Sequence, residues 1–258
     1  MGIVATTQAE PSLEPLSILG VGVLPFELYD QAVAHVERAI VSGRKSFCVA
    51  INPEKIYQAA RNTELMAALA QADMGICDGV GVALAARLLH GRWLRRCTGC
   101  DLFFRLIARA AEKGWRVFLL GASPEANGGA CEVLSRQYPG LRIAGRRDGY
   151  FTDSREVVRQ INASGADLLF VAMGSPRQEL WIAQHRPELD AHFCMGVGGT
   201  FDVVSGKARR APAVFRRTGT EFLFRLLSSP ARWRRQAVLP LFLLKVLQEG
   251  LALRRTVQ

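Results

Sequence analysis

Residues 74–81 read Met-Gly-Ile-Cys-Asp-Gly-Val-Gly, a short apolar run closed by a carboxylate, with an alanine- and leucine-rich helical pattern directly after it. This spacing predicts a buried strand, a tight turn and a helix start. Asp78 then stands at the carboxyl end of the strand, where open α/β sheets form their ligand crevices. A carboxylate there can take a proton from a bound hydroxyl, and it can equally cap the helix that follows. Gly79 and Gly81 permit close backbone approach, and Gly81 falls where a helix N-terminus presents unpaired N–H groups to an anion.

Three other segments repeat the theme of a strand end closed by Gly, Pro or Asn and a polar side chain. They are Asn52-Pro53-Glu54, the stretch from Gly174 through Ser175, Pro176 and Arg177 to Gln178 and Glu179, and the stretch from Gly198 to Asp202. In a parallel sheet all four turns fall on one edge. Asn52, Asp78, Gln178 and Asp202 would then line a single crevice. Two carboxylates and two carboxamides suit a polyhydroxylated, phosphorylated ligand: the amides fix hydroxyls, glycine backbones and helix N-termini hold phosphate, and one carboxylate accepts a proton.

Other chemistries find less support. No serine or cysteine has an evident histidine partner for covalent catalysis, and the segment after Gly121 is not a nucleophile elbow, because Pro124-Glu125 follows Ser123. The glycines at 196, 198 and 199 come too late in the chain for a dinucleotide fingerprint, and there is no phosphate-binding P-loop. Cys97-Thr98-Gly99-Cys100 has the spacing of a redox pair or half a zinc site. No second such pair accompanies it, which favours cysteines acting as small buried hydrophobes.

The elements that must position these residues follow from hydrophobic period. Phe26 to Val41 reads as an amphipathic helix, and 47–51 as a continuous apolar strand. Asn52 caps a helix with Pro53 in its first turn, running towards Ala70. A helix over 79–91 follows the Asp78 strand, and another starts near Asp101. Strands are predicted at 115–121, 141–145, 167–173 and 193–199, with helices from Ser123, from 153 to 163, and after Gln178. Apolar runs alternating with helical patterns predict a mostly parallel, Rossmann-like α/β sheet with helices on both faces.

The chain has 258 residues, enough for one large α/β domain with an appendage. Its net charge of +10 is unevenly placed. Residues 207–258 hold 12 of the 33 basic side chains and two of the 23 acidic ones, so the rest of the chain is neutral. A localised basic segment implies an anionic partner such as phosphate, a membrane surface or nucleic acid. From Pro230 to Leu253, arginines flank a leucine-rich pattern that Lys245, Gln248 and Glu249 interrupt and Pro240 would kink. That suits a helix lying in the headgroup region, or one packed on the body's own core. Residues 1–15 carry no leader pattern and no segment is a spanning helix, so the expectation is a cytoplasmic protein, peripheral on the inner face of the cell membrane. The division expected is a loose start at 1–15, a catalytic body at 16–206 and a basic, membrane-associating helical appendage at 207–258.

The chain is similar to the WecG/TagA/CpsF glycosyltransferases of bacterial surface-polysaccharide synthesis. The matching residues run in order from about 16 to 248. They include Ala50 to Lys55, Asp78 to Gly81, Arg96 with Gly99 and Asp101, Phe118 to Gly121, Asp148 to Phe151, Met173 to Glu179, Gly196 to Asp202, Arg209 to Pro212, and Glu221 with Arg225, Pro230 and Arg235. The resemblance implies inverting transfer of N-acetylmannosamine or its uronic acid from a UDP-sugar to an undecaprenyl-diphosphate-linked acceptor, with glucose transfer as the alternative. It implies Asp78 as general base, and substrate contacts at Asn52, Gly79, Gly81, Arg96, Asp101, Gly174, Gln178, Glu179, Gly198 and Asp202. It further implies diphosphate or membrane contacts from Arg210, Arg225, Arg232 and Arg235, and a possible homo-oligomer. Some members have threonine where Ala50 stands. With no Asp-x-Asp motif, the reaction is expected to need no metal and no cofactor. Readings from other classes are a nucleotide- or nucleic-acid-binding module, in which the arginine-rich tail holds nucleic acid, and a non-catalytic scaffold; no nucleic acid partner is expected.

Overall fold

The computed structural model describes residues 13–221, 224 and 238–256. A hairpin of β1 (Leu16–Ile18) and β2 (Val21–Val23) leads into α1 (Tyr29–Val41), β3 (Ser46–Ile51), α2 (Pro53–Ala59) and α3 (Thr63–Ala70). Next come β4 (Met74–Cys77), α4 (Val80–His90), α5 (Gly99–Lys113), β5 (Arg116–Gly121), α6 (Pro124–Gln137) and β6 (Arg142–Arg147). The chain continues through α7 (Ser154–Ser164), β7 (Leu168–Ala172), α8 (Arg177–His185), β8 (Phe193–Gly196), α9 (Thr200–Val204) and α10 (Ala213–Thr218). The last described helix, α11, is Val238–Thr256.

Six strands form one parallel sheet in the order β4-β3-β8-β7-β5-β6. Successive side chains on a strand point to opposite faces, and both faces of this sheet are covered. Phe47, Val49 and Ile51 enter one core with α2, α3, α7 and α8, while Cys48 and Ala50 enter the other with α1, α5 and α6. The same alternation holds in β7, where Leu169 and Val171 take the first face and Leu168 and Phe170 the second. This explains the unbroken apolar runs. Each fully buried large side chain contributes about 1.5–3 kcal/mol.

Local chemistry sets several boundaries away from where hydrophobic period alone places them. Helix α1 begins at Tyr29 and not Phe26, because the Gln31 side chain reaches back to accept the Glu27 and Leu28 N–H groups. The helix expected from Pro53 to Ala70 is two helices, since Asn62 accepts from Leu65 N at 2.9 Å and opens α3. The three-residue strands of the β1–β2 hairpin were not expected; Leu24 N donates to Gly75 O at 2.8 Å and ties the hairpin's exit to β4.

Helix α11 packs on α2 and α4. Phe242 and Val246, four residues apart and so on one face, are buried in the core beneath. The opposite face is also apolar, with Leu244, Leu247 and Leu251 exposed. Pro240 lies within the described span of this helix. Replacing Phe242 and Val246 together by alanine should release α11 while the sheet stays folded. Limited proteolysis should then cut within 238–256 much faster than in the unaltered chain.

Candidate active site

The loops leaving β3 and β8, neighbours in the sheet, diverge. The β3 loop feeds α2 on one face and the β8 loop feeds α9 on the other. The carboxyl ends of these two strands therefore form a topological switch point, the place where open α/β sheets bind ligands. Asn52 follows β3 and Gly198 follows β8. Asp78 follows β4 on the other side of β3, with its N–H on Ile51 O at 2.8 Å. Gly174 and Gln178 follow β7. Asn52, Asp78, Gly174, Gln178 and Gly198 are thus brought to one edge, as the four-turn pattern predicts.

Asn52 is the N-cap of α2, its Oδ1 accepting from Lys55 N at 2.8 Å. Among the described residues its Nδ2 has no partner, so it remains a hydrogen-bond donor for a ligand oxygen. Asp78 is half-buried and does not cap α4; Gly79 occupies that position with φ +130°. A Cβ on Gly99 would come within 3.8 Å of Asp78 Oδ2 and 3.0 Å of Ala50 Cβ, which shows how closely the first turn of α5 approaches the carboxylate. Gly81 lies in the first turn of α4, as expected, but packing also demands glycine there: a Cβ would sit 2.6 Å from Pro53 Cγ.

Behind the crevice runs a buried polar chain. Gln178 Oε1 accepts from Gly198 N at 2.9 Å, Gln178 Nε2 donates to Glu179 Oε1 at 2.8 Å, and that oxygen meets Lys55 Nζ at 2.7 Å. Glu179 and Lys55 are 0% and 4% exposed, so both ions are held away from water. Burial pushes the Glu179 carboxyl upward. The adjacent Lys55 charge and the hydrogen bonds outweigh it and leave the group below its ordinary value of 4.5. A carboxyl held low in the folded state stabilises the fold above its unfolded pKa and loses that contribution as pH falls through the folded value. With its Oε1 shared between Gln178 and Lys55, Glu179 is a positioning group for the Gln178 amide, which the resemblance made a substrate contact.

Lys55 had no role in the sequence reading, although a signal was present. It is a cation in the first turn of α2, where the helix dipole disfavours positive charge, and such a lysine requires an anion of its own. Asn127 also went unnoticed; its buried Nδ2 donates to the carbonyls of Leu119, Gly121 and Arg147 and fixes the ends of β5 and β6.

The segment after β8 crosses the same edge. Asp202 lies on α9, and its carbonyl accepts from Ala208 N at 2.9 Å. Lys207 Nζ reaches Ser123 Oγ at 3.0 Å and Glu125 Oε2 at 3.1 Å at the start of α6. Arg210 pairs with Asp101 in the first turn of α5, and Asp101 Oδ2 also accepts from Thr98 Oγ1 at 2.9 Å. Asp101 and Arg210 hold each other. Burial opposes the Arg210 charge, and Asp101 outweighs it, raising the guanidinium pKa. A Cβ on Gly219, which ends α10, would lie 3.1 Å from Arg96 Nη1, so Arg96 rests against this segment. Arg225, Arg232 and Arg235 lie outside the described residues.

The Cys97–Cys100 pair brackets the α5 N-cap, Thr98. A helix N-terminus ordinarily lowers a thiol pKa. Burial here drives Cys97 and Cys100 upward instead, and Cys77 to about 12, which makes these thiols unreactive packing groups.

An open parallel sheet with a carboxylate, two carboxamides and several helix N-termini at its switch point is equipped to bind an anionic, hydroxyl-rich ligand. Residues 16–256 match the glycosyl transferase WecG/TagA/CpsF family, and the chain belongs to that family. It is similar to the N-acetylglucosaminyldiphosphoundecaprenol N-acetyl-beta-D-mannosaminyltransferase of Bacillus spizizenii, 40% identical over 217 residues that cover 84% of each chain. The protein of the same name from Bacillus subtilis is 36% identical over 199 residues, 77% of this chain and 78% of that one.

Removing the partner of a buried charge costs about 3–5 kcal/mol. Lys55→Met should therefore cost the fold an amount of that order at pH 7 and lower the urea midpoint by that cost divided by the denaturant slope. A chain whose midpoint does not move would show that the pair is not closed off from water.

Proposed function

We propose that this chain transfers N-acetylmannosamine from its UDP derivative to the sugar of a GlcNAc-diphospho-undecaprenol acceptor, the reaction in the names of both relatives. The observation that carries the reading is Asp78, a half-buried carboxylate at the switch-point crevice beside the first turn of α5. The acceptor hydroxyl oxygen attacks the anomeric carbon as the bond from that carbon to the UDP oxygen breaks. Asp78 takes the hydroxyl proton, and UDP leaves with the electron pair. A single displacement inverts the anomeric centre and needs no enzyme nucleophile. Asn52 Nδ2 and the N–H groups opening α4 and α5 would hold donor oxygens, and the basic strap from Lys207 to Gly219 supplies positive charge for the departing diphosphate.

This reading keeps the developing charge on cationic side chains and helix N-termini. Among the described residues no three carboxylate, imidazole or thiol groups are placed to share a cation. Among the same residues no helix is long and apolar enough to cross a membrane. A lipid-linked acceptor nonetheless asks for contact with the bilayer. The exposed Leu244, Leu247 and Leu251, with Leu84 and Leu88 of the adjoining α4 also exposed, suit a helix face seated at the acyl boundary. Nearby basic residues would meet anionic headgroups.

Asp78→Asn should keep UDP binding and lower turnover by about 10²–10⁴-fold, the range for a general base. A UDP-release assay with UDP-N-acetylmannosamine and a short-chain GlcNAc-diphospho-lipid, run with and without EDTA, measures this. Undiminished turnover would remove Asp78 from the role, and loss of release in EDTA would remove metal independence. Changing Leu244, Leu247 and Leu251 to serine should abolish sedimentation with vesicles of anionic lipid. Retained sedimentation would overturn the membrane reading of α11.

A further inference from the structure

Between the residues entering α1 and the connection from α4 to α5 lies a groove of about 460 Å³, which Val80, two residues past Asp78, helps to line. It falls within the range of roughly 300–1,000 Å³ typical of small-molecule sites. Its walls come from the residues entering α1 and from the connection between α4 and α5, with Leu28, Tyr29, Trp93, Arg95, Arg96 and Arg105 prominent among them. The sequence reading gave a role to Arg96 alone.

The groove's chemistry divides into two parts. Trp93 and Leu28 are more than half exposed, large apolar groups left at a polar rim. Three guanidinium groups lie with them. Arg105 is fixed in place: Nη1 meets Asp30 Oδ1 at 2.9 Å and the guanidinium stacks 4.8 Å over the Tyr29 ring. Arg95 is only loosely engaged, 3.9 Å from Glu27 in a pair that is exposed on both sides, and such pairs are worth little. It can turn to a ligand at small cost. Planar guanidinium forks match phosphate oxygens in pairs. An exposed indole is a large apolar surface with a polar edge, which suits the place where an apolar chain meets a charged headgroup.

The inner end of this groove is set by covalent neighbours of the site. Val80, two residues past Asp78, lines it, as does Cys97, whose N–H is bonded to Cys77 O at 2.8 Å. Tyr29 Oη accepts from Thr98 N at 2.9 Å, and the next residue is Gly99, which faces Asp78. Asp78 itself follows β4, the strand beside β3, and so has the switch-point crevice on one side and these groove-lining neighbours close by. A general base has to touch the acceptor hydroxyl on one side while the donor's anomeric carbon lies on the other.

We infer that this groove is the acceptor site and takes a glycosyl diphosphate, with the diphosphate over Arg95, Arg96 and Arg105 and the sugar end towards Asp78. Trp93 stands at the outer rim, where an attached lipid leaves. The inference rests on the transferase reading and extends it by separating the two diphosphates of the reaction, that of the acceptor and that of UDP.

Isothermal titration of the full chain with a GlcNAc diphosphate bearing a short alkyl chain, and separately with UDP, tests the assignment. Trp93→Ala, a change at an exposed side chain, should weaken binding of the glycosyl diphosphate about tenfold and leave UDP binding unaltered. Trp93→Phe, which retains a large apolar face for the alkyl chain, should restore most of the loss. Arg95→Ala should weaken the same ligand alone. Equal affinities in variant and wild type, weakening of UDP alone, or equal weakening of both would each overturn the inference. A wild-type chain that binds UDP but not the glycosyl diphosphate would do the same. A wild-type chain that binds neither ligand would bring down the transferase reading as well.

Discussion

The Lys55 ammonium would not lie where it does without Glu179. It sits in the first turn of α2, within the positive end of the helix dipole and out of reach of water, and a lone cation there is strongly disfavoured. The carboxylate at 2.7 Å removes that penalty, and in doing so binds α2 to α8. Those helices follow β3 and β7, with β8 between them in the sheet. The third strand is drawn in through Gln178, whose amide contacts both Glu179 and Gly198. One ion pair therefore sets the spacing of three strand ends. A Cβ on Gly196 would stand 2.5 Å from Gln178 Nε2, so the amide also lies flat against the end of β8. The crevice floor is tied together by this chain, in which Gln178 bonds to Gly198 and Glu179, and Glu179 to Lys55.

Over that floor the described part of the appendage behaves as a strap. Lys207 is fastened at the start of α6, Arg210 at the start of α5, and Gly219 against Arg96. Each fastening joins a basic side chain or a backbone to a helix N-terminus or a site residue, so the strap crosses the edge where ligands enter. Its continuation returns as α11 on α2, the same helix that carries Asn52 as its cap and Lys55 in its first turn. The two ends of the appendage thus bracket the crevice from opposite directions. The body and the appendage share one core through Phe242 and Val246.

Much of this was legible in the chain alone, and the legible part has a common cause. Strands buried on both faces leave unbroken apolar runs, and parallel pairing puts their polar turns on one edge, so the turns carrying Asn52, Asp78, Gln178 and Asp202 could be grouped from the chain alone. Asn52 and Pro53 announced the start of α2 through cap chemistry. Short-range competition and long-range pairing were harder to read. Asn62 divides a helix by capping one that hydrophobic period runs straight through. Strands of three residues, such as β1 and β2, give too few alternations to register. Asp101 and Arg210 are separated by 109 positions, and nothing local to either tells that each is the other's partner. Lys55 is the instructive miss, because the helix dipole made its need for an anion visible in principle.

Pro53 and Gly81 illustrate how the site limits its own variation. The proline ring that begins α2 lies against the first turn of α4, close enough that any side chain at 81 would collide with it. The two positions flank Asn52 and Asp78, one from each helix. A mutational route that enlarges residue 81 first must pass through a chain whose two turns are pushed apart, whereas a route that shrinks residue 53 first does not. The order of change at these sites is therefore directional: the glycine can be given up only after the proline, and a lineage that keeps the proline is committed to the glycine.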